Sequence, residues 1–216
     1  MKDKLLAEFA GTALLLMVVV GSGIYGETLS AGNTAVALLA NSIATGAGLY
    51  VLITLLGPIS GAHFNPVVSL YFRARGELDT RSCAAYMATQ ISGGIVGIWL
   101  THFIYAQPVL QASTKIRTGA AQWVSELIAT ALLLGAIHLG LRHAREKIAL
   151  IIALLVTAGY WFTSSTFFAN PAVTIARSLS NTFAGIQPAD APGFITAQVI
   201  ALALVLILSR KHQPTR

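Results

Sequence analysis

Charge is scarce in this chain: eight acidic and fourteen basic residues are spread over 216 positions, 10% of the total, against roughly 25% in an ordinary soluble domain. With 55% hydrophobic residues and a mean hydropathy of +0.71, a water-soluble fold is excluded. A single cysteine, Cys83, rules out an internal disulfide and a cysteine-rich metal centre. His102, His138, His143 and His212 stand at no metal-ligand spacing from cysteine or acid, so no metal is expected. No Ser/His/Asp set and no phosphate-binding glycine loop is present. The chain therefore reads as neither an enzyme nor a cofactor protein.

What the sequence does have is apolar length. Runs at 5–25, 36–56, 84–105, 121–141, 148–165 and 194–208 are long enough, or nearly so, to cross a bilayer, the last two being the shortest. The first carries Glu8 inside it and is followed by more sequence of the same kind, so it is read as a span rather than a cleaved leader. The basic residues fall at the ends of runs and in connections, which argues for topology and against nucleic-acid binding. Lys2, Lys4, Arg73, Arg75, Arg81, Arg142, Arg145, Lys147, Arg210, Lys211 and Arg216 fall on one side; Lys115, Arg117 and Arg177 fall on the other. The positive-inside rule then puts both termini in the cytoplasm of a multi-pass protein of the cell membrane.

The two halves repeat. Glu8 and Glu126 are each followed four residues later by Thr and then Ala-Leu-Leu-Leu. Asn65-Pro66-Val67 and Asn170-Pro171-Ala172 lie 105 positions apart, and Gln90 and Gln198 each precede an apolar run. Three landmarks in one order indicate duplication within a single domain of 216 residues, with halves at about 1–117 and 118–216. Three spans per half invert the second copy in the membrane, a plan that places sites at the midplane between repeats. Segments 66–73 and 171–179 are too short to span. Each opens with Asn at a cap and Pro at a first helical position, and so reads as a half-helix dipping in from one face. Non-helical backbone at that depth survives only where protein buries it or water lines it. Glu8 and Glu126 are expected to accept the unpaired N–H groups of these loops. The small-residue pairs Ala7/Gly11, Gly93/Gly97 and Ala131/Gly135 suit close helix contacts.

These residues resemble the aquaporin and aquaglyceroporin family over nearly the whole chain: Ala7-Glu8-Phe9-Ala10-Gly11-Thr12, Ser60-Gly61-Ala62-His63-Phe64-Asn65-Pro66, and Asn170-Pro171-Ala172. The resemblance implies an all-α membrane protein of six tilted helices and two re-entrant half-helices, assembled as a homotetramer with one pore per subunit. It implies that the amides of Asn65 and Asn170 donate to a passing solute, with His63 in the re-entrant loop. It also places the selectivity filter at Thr45, at Ala158 or Gly159, at Phe167 and at Val173.

Departures from the family pattern bear on the solute. Where most members have Arg after the second box, this chain has Val173, and Val67 replaces the usual Ala. A filter with one bulky member and no fixed charge implies a pore for small neutral solutes larger than water, such as glycerol. A bacterial subgroup encoded beside arsenic-resistance genes is similar in having Val there and Arg one turn later, which extends the expected solutes to undissociated arsenous acid. Arg177 lies one helical turn, about 6 Å, beyond Val173. It is read either as a displaced charge at the outer vestibule or as a side chain reaching to lipid headgroups. Tyr160, Trp161, Phe162, Phe167 and Phe168 read as an interfacial aromatic belt, with Phe167 also placed for the filter. The alternatives are a water-selective channel, a secondary transporter on the same repeat, or a structural membrane protein with a closed pore.

Overall fold

The computed structural model describes residues 1–210; Lys211, His212 and Arg216, which entered the charge and histidine readings above, lie outside the described residues. Among the described residues eight α-helices follow one another: α1 (Lys2–Leu29), α2 (Thr34–Ser60), α3 (Pro66–Ala74), α4 (Thr80–Ile104), α5 (Ala120–His143), α6 (Ile148–Phe162), α7 (Pro171–Arg177) and α8 (Ala191–Arg210), with a 3₁₀ turn at Arg145–Lys147. α3 and α7 are the short members expected from the Asn-Pro boxes. Among the described residues α1, α2, α4, α5 and most of α8 are long and apolar enough to cross a membrane. α6, at 15 residues, extends about 22 Å and is shorter than a bilayer core.

Two expected boundaries move. α6 stops at Phe162 rather than running on to residue 165, because Ser165 belongs to the second re-entrant loop, where its hydroxyl donates to Glu126. α7 stops at Arg177, two residues early, since the N–H of Leu179 bonds the Ala176 carbonyl in a tight turn.

Packing follows the repeat. α1 lies against α4 and α2, α5 against α8 and α6, and α2 against α6, while α3 and α7 fill the space between. Gly93 and Gly97 set the closeness of α1 and α4: a Cβ on either would stand only 2.4 Å or 2.3 Å from the carbonyl oxygens of Phe9 and Ala13. Gly11 faces the ring of Phe64 instead, and Gly135 has no neighbour that a Cβ would meet, so the Ala131/Gly135 pair makes no such contact. Large apolar side chains such as Leu55, Phe103 and Leu154 are exposed on the outside of the bundle. Polar groups lie inside, including Glu8, Gln90, Glu126 and Gln198, all fully buried. This inversion of the soluble pattern is what a lipid solvent selects.

Candidate functional site

Each half-helix starts the way its residue types dictate. Asn65 is extended, its Oδ1 accepts the Val67 N–H at 3.0 Å, and Pro66 takes the first helical position, where no N–H is needed. Asn170 does the same for Ala172 at 2.9 Å, with Pro171 at the first position. The amide nitrogens then cross over: Asn65 Nδ2 donates to the Ala169 carbonyl and Asn170 Nδ2 to the Phe64 carbonyl, both at 2.8 Å. Two helix N-termini are thus tied together, each leaving one amide hydrogen uncommitted.

The loops leading into the boxes share an unusual backbone. Ala62 and Phe64 have φ of 49°, and Phe167 and Ala169, each 105 positions later, have 56° and 47°. Left-handed conformations of non-glycine residues cost on the order of 1–3 kcal/mol each, so the surroundings must fix them. Glu8 does this in the first loop. Its Oε1 accepts the Ser60 hydroxyl at 2.6 Å and the His63 N–H at 2.9 Å, while its Oε2 accepts the Phe64 N–H and Gln90 Nε2, both at 2.7 Å. Glu126 repeats the arrangement with Ser165 (2.6 Å), the Phe168 N–H (3.0 Å), the Ala169 N–H (2.8 Å) and Gln198 Nε2 (2.7 Å). Each glutamine also donates to a hydroxyl on the half-helix, Ser69 or Thr174. Four partners saturate the two oxygens of each carboxyl group inside the bundle.

One cavity of about 680 Å³ runs past both boxes. It starts beside Glu77, Arg145 and Glu146, passes His63, Asn65 and Asn170, and reaches Thr45, Phe167, Val173 and Arg177 at the α7 end. His63 is fixed on the way by Ser69, 3.1 Å from its Nδ1, and by stacking on Phe72. It therefore combines a loop-holding contact with a place in the lining. Val67, expected beside the first box, is fully buried, capped by Asn65, and does not line the cavity.

Three of the expected filter positions meet in the cavity and one does not. Ala158 is exposed on the far side of α6. Gly159 is covered, because the Phe167 ring lies so close to its Cα that a Cβ would fall 2.2 Å from the ring. The lining residue of α6 at this level is Tyr160, whose hydroxyl is 3.2 Å from that of Thr45 on α2. The run Ile152, Val156 and Tyr160, each four residues after the last and all lining the cavity, was the available signal. The aromatic cluster splits accordingly: Trp161 and Phe162 are exposed, while Tyr160, Phe167 and Phe168 are buried.

Arg177 does not extend to the bundle surface. It is 2% exposed, its guanidinium stacks 3.5 Å from the centre of the Phe168 ring, and its Nε donates to the Ala184 carbonyl. A helical side chain points back toward its own N-terminus, which carries this one inward to the cavity. Arg117, from the connection between α4 and α5, packs over the same ring at 5.3 Å and donates to the Gly185 carbonyl. Burial lowers the pKa of Arg117, and likewise that of Lys115 beside Phe183. No group of histidines, cysteines and acids among the described residues could hold a metal ion.

Comparison with known proteins places this geometry among relatives. The model of the major intrinsic protein family matches residues 1–163. The chain is 52% identical over 211 residues to the aquaglyceroporin AqpS of Rhizobium meliloti (strain 1021), covering 97% of this chain and 90% of the relative. It is 29% identical over 170 residues to a protein of Thermotoga maritima named probable glycerol uptake facilitator, covering 70% of each. The fold is similar to the X-ray structure of the aquaglyceroporin from Plasmodium falciparum, with a TM-score of 0.74 at 20% identity, over 96% of this chain and 93% of that one.

Proposed function

The chain belongs to the major intrinsic protein family, a family of membrane channels, and from that premise we propose that it is a passive pore for water and for small neutral solutes larger than water, glycerol-like polyols foremost. The observation that carries this reading is the continuous cavity past both Asn-Pro boxes, ending at Thr45, Phe167 and Val173 with no arginine directly after the second box. A neutral solute exchanges hydrogen bonds with the free amide hydrogens of Asn65 and Asn170 while its carbon atoms lie against Phe167. The N-termini of α3 and α7 meet there, and their positive dipole ends raise a barrier to cations and protons. Undissociated arsenous acid, neutral and carrying three hydroxyls, fits the same description and is included among the solutes.

Arg177 adds a cation to the wall without standing across the path as an arginine at position 173 would. The satisfied state of Glu8 and Glu126 weighs against a secondary transporter, since neither carboxylate is free to bind a coupling ion. The single transmembrane domain is taken to assemble as a homotetramer in the bacterial inner membrane with both termini cytoplasmic, which makes the α7 end of the pore the outer one.

Stopped-flow light scattering on proteoliposomes tests the reading. Glycerol and water fluxes should both rise above those of empty vesicles, fail to saturate, and ignore a proton gradient. Water flux alone, or saturable flux coupled to protons, would contradict it.

A further inference from the structure

We propose that Tyr160 is a specificity-determining residue of this pore, its hydroxyl forming with that of Thr45 a polar wall on which a neutral solute bearing several hydroxyls is bound as it passes Phe167. The proposal rests on the channel reading above and assigns to it a side chain outside the expected filter.

The two hydroxyls come from helices in different halves of the chain, α2 and α6, and meet at 3.2 Å inside the cavity lining. Neither has another hydrogen-bond partner among the described residues. Each is one donor and an acceptor, so their mutual bond uses one hydrogen and leaves the pair with one O–H and free lone pairs. Such a pair gives and accepts at adjacent points. Two neighbouring hydroxyls of a polyol present the complementary pattern, whereas an ion would lose a hydration shell that two neutral hydroxyls cannot replace.

The apolar wall is held in register with this polar one by packing. The Phe167 ring seats on Gly159, the residue immediately before Tyr160, at a distance no larger residue would allow. Tyr160 itself is buried apart from its face on the cavity. A solute is therefore met by carbon from Phe167 and Val173 and by oxygen from Tyr160 and Thr45, and discrimination depends on how many hydroxyls it can commit to the oxygen side.

The test is permeability of proteoliposomes to water, glycerol and 1,2-propanediol, which has one hydroxyl fewer than glycerol, for the wild type and Tyr160→Phe. Losing one hydrogen bond predicts a fall of about five- to tenfold for glycerol, a smaller fall for 1,2-propanediol and a change within about twofold for water. Thr45→Val, which removes the other hydroxyl while keeping shape, should reproduce the pattern and serves if the tyrosine variant does not fold. A uniform fall in all three fluxes, or no change in any, would overturn the proposal. Absence of glycerol flux in the wild type would instead sink the channel reading on which it rests.

Discussion

The two re-entrant loops are alike in what holds them and unlike in what they show to the pore. Ser60, Phe64, Asn65 and Ser69 in the first make the same hydrogen bonds as Ser165, Ala169, Asn170 and Thr174 in the second, each pair 105 positions apart. The lining has diverged on that shared frame. Ala62 corresponds to Phe167, and the His63 ring stacked on Phe72 at 4.6 Å corresponds to the Phe168 ring stacked under Arg177 at 3.5 Å. A neutral pair at one end thus becomes an aromatic ring under a cation at the other, and a methyl becomes a phenyl. The frame answers a demand that lipid makes of any non-helical backbone, so both copies must meet it. The lining answers to the solute, and bulk and charge gather in the second loop.

The largest effect should come from removing the shared frame. Glu8→Ala and Glu126→Ala each strip four donors of their acceptor, and each should abolish transport and lower stability by at least about 3 kcal/mol, since every buried donor left unpaired costs about 1–3 kcal/mol. Thermal melting in detergent reads this out. One variant that melts like the wild type would break the equivalence of the two loops.

Next comes the divergent bulk. Phe167→Ala makes the second loop match Ala62 and should admit polyols longer than glycerol, with erythritol flux rising about tenfold as the steric constriction is lost. Vesicle swelling measures it, and unchanged erythritol exclusion would place the constriction elsewhere.

The divergent charge should matter less. Arg177→Met removes the cation from the wall and should raise proton or potassium leak about threefold, while Phe72→Met at the matching position leaves it alone, a contrast that pH-sensitive dye in the lumen detects. Equal leak from both would mean that the half-helix dipoles alone set the barrier. The smallest effect belongs to a residue of neither loop: Cys83 is buried on α4 away from the cavity lining, so mercurials should inhibit weakly. Strong block that Cys83→Ser removes would contradict this.

The paired boxes were enough to read the inverted plan, because Asn-Pro at a helix start, a glutamate within a span and an odd number of spans per half each have one physical solution. The partners of the glutamates were partly visible too, Gln90 and Gln198 as matched landmarks, although nothing in their spacing says that both reach a carboxylate. The α6 filter position was not legible. Counting back from the second box crosses the turn after Phe162, and a register error of one residue rotates a helix by about 100°. That rotation separates exposed Ala158 from Gly159 and Gly159 from Tyr160. Arg177, one turn after Val173, lines the cavity with it, but its side chain turns inward because Phe168 and the Ala184 carbonyl receive it there, and both partners come from loops whose paths sequence alone does not give.

The most direct test of a wide, neutral-solute pore is Val173→Arg, which puts the family's usual arginine back after the second box. Stopped-flow light scattering on proteoliposomes should show glycerol and arsenous acid flux falling at least about tenfold while water flux persists, since a guanidinium at that position narrows the path and leaves room for water. Undiminished glycerol flux would contradict the account, because position 173 would then not face the constriction that selects the solute.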